Sequence, residues 1–73
     1  MQHASANISI LVNGDERRIR EGQTIAELIG ELHLDPERLA VELDRCIVKR
    51  VDWSATTLCR GAQLEIVQFV GGG

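Results

Sequence analysis

The chain has 73 residues, of which 44% are hydrophobic, and a formal net charge of −3. That length allows one small domain whose core leaves only a few kcal/mol of net stability and no room for a deep cleft, so no enzymatic activity of its own is expected. The acidic balance argues against nucleic acid as a partner, because binders of this size carry the opposite sign.

Ile8, Ile10 and Val12 alternate with Asn7, Ser9, Leu11 and Asn13, the period of a half-buried strand. Asn13-Gly14-Asp15 then predicts a hairpin turn, since Asn and Gly both tolerate positive φ. The returning strand is Arg17-Arg18-Ile19-Arg20, with Ile19 facing inward, and Glu21-Gly22-Gln23 breaks it. Thr24 and Glu27 have capping-box spacing, in which each side chain satisfies a free backbone N–H near the other. Ile25, Leu28, Ile29 and Leu32 form one apolar stripe at helical spacing. Asp35-Pro36 is the expected end of that helix, because Pro disfavours helical geometry in the residue before it.

Leu39, Val41 and Leu43 alternate again, and a turn at Asp44-Arg45 leads into Cys46-Ile47-Val48, which can pair back. Residues 52–62 read as irregular, with Trp53 and Leu58 as core anchors and Gly61 at a turn. A last strand is expected over Gln63 to Val70, followed by Gly71-Gly72-Gly73. Hairpin, helix, strand pair and strand make an α+β sheet with one helix across it. The expected division is one domain over 1–70, with 1–6 loose, and a flexible glycine tail over 71–73.

Ile10-Leu11-Val12 is far shorter than a membrane span, and Met1 to Ala6 lacks the basic and apolar stretches of a signal peptide. Two cysteines without framework spacing predict reduced thiols and a cytoplasmic protein with no membrane partner. Cys46 and Cys59 are expected to be buried structural residues. His3 and His33 lie far from any ligand spacing, so no metal site is expected. Glu27, Glu31 and Glu37 read as a solvated face.

The feature that suits chemistry is the tail. Without Cβ atoms, Gly72 and Gly73 can thread a narrow channel and adopt backbone angles closed to other residues. A terminal carboxylate is a poor electrophile, so a partner enzyme must first activate it, as an acyl-adenylate.

Val12-Asn13-Gly14, Thr24-Ile25-Ala26-Glu27-Leu28, Ala40-Val41, Ile47-Val48 with Arg50, Trp53, Leu58 with Gly61, Glu65-Ile66-Val67 and a final Gly-Gly stand in order in this chain. Together they resemble the ThiS family, the sulfur carriers of thiamine thiazole biosynthesis. The resemblance implies a ubiquitin-like β-grasp fold and a protein that is acted upon. A ThiF-like, E1-like adenylyltransferase would adenylate the Gly73 carboxylate with its own ATP, while this chain binds no cofactor. A cysteine desulfurase would supply the sulfur that makes the thiocarboxylate, and a ThiG-like thiazole synthase would consume it. Gly72 and Gly71 would thread the partner's active site. The small subunit of molybdopterin synthase and a ubiquitin-like protein modifier share this tail and stay open as alternatives. A pure binding module would make the tail incidental.

The chain departs from the family at Asp44-Arg45, where Asn-Gly is common, at Lys49, where Pro is common, and at Arg60-Gly61-Ala62, in place of Asp-Gly-Asp. Turn residues are kept at these places, but the surface charge changes. One further expectation follows from strand parity. With Leu64 and Ile66 facing the helix, Val67 and Phe69 face away; the first and last strands of a β-grasp sheet are neighbours, which would bring Leu11 close to them. Leu11, Val67 and Phe69 are thus the expected docking face, unless a bulge returns Val67 and Phe69 to the core.

Overall fold

The computed structural model describes residues 6–70; residues 1–5 and 71–73 lie outside it, and with them the expectations of a loose start and a flexible tail. Alternation in the first segment forms β1 (Asn7–Val12), which pairs antiparallel with β2 (Asp15–Arg20), placing Ile8 opposite Ile19. Between them Asn13 and Gly14 have φ of 52° and 85°, the two left-handed positions of a tight hairpin turn.

The helix α1 (Ile25–Glu31) starts where the capping box places it. The Glu27 N–H donates to Thr24 Oγ1 at 3.2 Å, and the Thr24 N–H donates to Glu27 Oε1 at 3.0 Å. Thr24→Ala is therefore expected to remove about 1 kcal/mol and lower the melting temperature by about 4–8 °C, readable by circular dichroism. Ile25, Leu28 and Ile29 are buried against the sheet. The helix ends at Glu31, not at Asp35-Pro36: Leu32 caps it, and His33 takes a left-handed φ of 58° that no further helical turn can follow. Pro36 instead opens a 3-10 turn, Pro36–Arg38, in which Asp35 Oδ1 accepts the Glu37 N–H at 3.0 Å.

The next strands are β3 (Leu39–Leu43) and β4 (Cys46–Ile47), joined by Asp44 and Arg45 with φ of 51° and 73°. The turn thus survives without glycine, although a Cβ in left-handed geometry costs Arg45 about 1–2 kcal/mol. Residues Arg50–Ala55 are a 3-10 helix rather than irregular chain. Its Trp53 is buried, and the ring Nε1–H donates to Val48 O at 2.9 Å, so the indole satisfies its donor inside the core.

The last strand, β5 (Gln63–Gln68), ends two residues before the expected Val70. It lies at the centre of the sheet, whose order is β2-β1-β5-β3-β4, with β1 parallel to β5 and the other neighbours antiparallel. One sheet face packs on α1; the other faces solvent. Cys46 and Cys59 are both free and exposed, which corrects the expectation of buried thiols. Cys46 sits on a two-residue edge strand and Cys59 in the loop before β5, and neither place offers a core to fill. No helix among the described residues is long and apolar enough to cross a membrane.

Candidate functional site

The arrangement around β5 follows from its alternation. Leu64 and Ile66 are buried beneath α1, and the register against β3 runs unbroken from Leu43–Leu64 to Leu39–Gln68. No bulge interrupts it, so Val67 and Phe69 stay on the outer face, 54% and 55% exposed. Ala40 lies directly across from Val67, and the exposed Ile47 of β4 lies across from Glu42. Glu42 and Glu65 face each other in register, so carboxylates border this apolar patch on its inner side.

Leu11 is 37% exposed but does not join the patch. It pairs with Gln63, and four residues at about 3.3 Å each place Val67 roughly 13 Å further along β5. The expectation of one continuous face from Leu11 to Phe69 is corrected accordingly, since only the β1–β5 register decides it. Gly71, Gly72 and Gly73 lie outside the described residues.

A feature invisible in the sequence holds β5 in place. Asn13 Oδ1 accepts the Ile66 N–H at 2.7 Å and its Nδ2 donates to Ile66 O at 3.1 Å, a bidentate clamp across 53 positions of chain. The Asn-Gly dipeptide signals the turn, but nothing local signals the distant partner. The clamp lies just before Val67 and Phe69 on the central strand of the sheet.

Elsewhere the surface offers little chemistry. A depression of about 250 Å³ lined by Ile8, Gly22, Leu58, Cys59 and Arg60 lies at the opposite end of β5, below the usual size of a ligand pocket. Among the described residues no group of three His, Cys, Asp or Glu could hold a metal ion.

Five mixed strands with one helix across them, and a last strand running out of the sheet centre, define a β-grasp protein of the ubiquitin-like class. The ThiS family model matches residues 10–73, and the chain belongs to that family. It is similar to a solved ThiS thiamine biosynthesis protein from Geobacter metallireducens, with a TM-score of 0.78 and 30% identity, covering 90% of this chain and 100% of that one. It is 36% identical over 66 residues to a thiazole synthase of Paramagnetospirillum magneticum, covering 90% of this chain. The chain spans only 20% of that thiazole synthase's length. It is also 32% identical over 68 residues to the uncharacterized protein ycf40 of Pyropia yezoensis, covering 93% of this chain and 96% of that one.

Proposed function

We propose that the chain is a sulfur carrier for thiazole formation in thiamine biosynthesis, with Gly73 as the residue that carries the sulfur. The observation that supports this most is the family match running through residue 73. On this reading an E1-like adenylyltransferase joins the Gly73 carboxylate to the α-phosphate of ATP and releases pyrophosphate. A persulfide formed by a cysteine desulfurase then attacks the acyl carbon and AMP leaves. A partner thiol cleaves the S–S bond of the resulting acyl disulfide, is itself oxidised to a disulfide, and releases the thiocarboxylate. Thiazole synthase takes that sulfur. The similarity of this chain to a segment of a thiazole synthase favours thiamine over the molybdenum cofactor and over protein modification. ATP–pyrophosphate exchange with the adenylyltransferase tests the first step: exchange that depends on this chain is expected, and its absence refutes the reading.

Val67 and Phe69 would dock the adenylyltransferase, because they are exposed apolar residues on the outer sheet face of the segment that leads, through the exposed Val70, to the tail it must receive. Phe69→Ser is expected to weaken that binding about 30-fold, the effect of losing one aromatic anchor of about 2 kcal/mol. The melting temperature should stay within about 5 °C, since a half-exposed ring contributes little to the core. Titration calorimetry and thermal melting separate the two; lost stability with unchanged binding per folded molecule would sink the docking role.

A further inference from the structure

β1 leaves the side of β5 before β5 ends. The two strands pair only at Leu11–Gln63 and Val12–Leu64. Beyond them Asn13 closes two more contacts: its backbone N–H donates to Leu64 O at 2.8 Å, and its side-chain amide clamps Ile66. Backbone groups of successive strand residues point to opposite sides. Leu64 and Ile66 bond toward β1, whereas the Phe69 N–H donates to Arg38 O on the β3 side at 2.8 Å. The N–H and C=O of Gln68 therefore face the side that β1 has vacated, one rung past the Asn13 amide. Among the described residues no chain pairs with Gln68 on that side.

We propose that an extended segment of the adenylating partner adds to the sheet at this open rung, hydrogen-bonding its backbone to Gln68. The inference rests on the carrier reading above and names how that partner grips the chain. A donor and an acceptor exposed side by side on a strand edge match another backbone, and strand addition uses this match. Val67 and Phe69, exposed on either side of Gln68, supply apolar contacts for alternate side chains of the added segment. Asn13 blocks the edge up to Ile66, so the added segment can register only from Gln68 onward, toward Gly73. A second copy could bring only this same short edge to itself, whereas the adenylating partner must in any case reach the adjoining chain end to act on it.

The test exploits a backbone group that the fold does not use. Gln68→Pro removes the N–H on the open side and spares the β3 ladder, a place where strands tolerate Pro. Gln68→Ala removes the side chain and keeps the N–H. Affinity of each variant for the adenylyltransferase is measured by titration calorimetry, with thermal melting as the check on folding. Gln68→Ala should bind within about twofold of the parent chain, and Gln68→Pro about tenfold or more weaker, the loss of one backbone bond and its neighbour. Independently of any variant, hydrogen exchange at the Gln68 amide of the unaltered chain should slow about tenfold or more on adding the partner. A folded Gln68→Pro chain that binds normally, or a Gln68 amide left unprotected in the complex, overturns the proposal. So does a dimer of the free chain that Gln68→Pro abolishes, which would assign the edge to a second copy. A chain that binds through Gln68 yet supports no ATP–pyrophosphate exchange refutes the carrier reading alone and upholds the edge.

Discussion

Adding one alanine after Gly73 is expected to lower thiocarboxylate formation by several orders of magnitude while leaving the melting temperature unchanged. The added residue turns the Gly73 carboxylate into an amide, which has no anionic oxygen to attack ATP. It also moves the new carboxylate outward by about 3.5 Å. Misplacing reacting atoms by even about 1 Å can reduce a rate about 100-fold. Gly73→Ala keeps the carboxylate in place and adds only a methyl group, so its loss should be smaller, about 10- to 100-fold. Gly72→Ala should come close to it, since a Cβ there crowds the same channel, and Gly71→Ala should be the best tolerated of the three. Folding should not notice any of these changes, because no buried core residue among the described residues lies beyond Ile66. Exchange assays with the adenylyltransferase, followed by mass detection of the thiocarboxylate, read the first effect; calorimetric melting reads the second.

Leu64→Ala is expected to have the opposite signature, a loss of the fold itself. Leu64 is fully buried at 0% exposure on the central strand, with Val12 across from it on β1 and Leu43 on β3. Such truncations remove about 2–5 kcal/mol, through lost transfer energy and the cavity left behind. A domain of this size has only roughly 4–11 kcal/mol in total. The melting temperature should fall by about 15 °C or more, and part of the population should be unfolded near 37 °C. Thiocarboxylation should then fall only in proportion to the unfolded fraction. A drop under about 5 °C would contradict the packing described for β5.

Local patterns made much of the fold legible. Ile8, Ile10 and Val12 with Asn13-Gly14 define the hairpin, and Thr24 with Glu27 and the Ile25–Leu28–Ile29 stripe define the helix, because each signal lies within a few residues. Where the helix stops was not legible: the Asp35-Pro36 rule is sound, but His33 reached left-handed geometry first. The candidate site was half legible. Strand parity alone places Val67 and Phe69 outside, whereas separating Leu11 from them requires the β1–β5 register, set by contacts between residues some fifty positions apart. The Asn13 clamp on Ile66 has the same long range. The exposed thiols were missed because the burial tendency of cysteine is an average over proteins, and these two sit on an edge strand and in a loop.

The central claim concerns one atom of the chain end, and intact mass spectrometry with fragmentation tests it most directly. The chain is incubated with the adenylyltransferase, ATP, the desulfurase sulfur source and a thiol reductant, or purified from its own host. The expected product is heavier by the exchange of one oxygen for one sulfur, with the change located at Gly73. Fragmentation matters because oxidation of Met1 or of an exposed cysteine adds nearly the same mass elsewhere. A chain that is never adenylated, that carries its added mass only away from Gly73, or that forms isopeptide links to lysines through Gly73 would contradict the carrier reading.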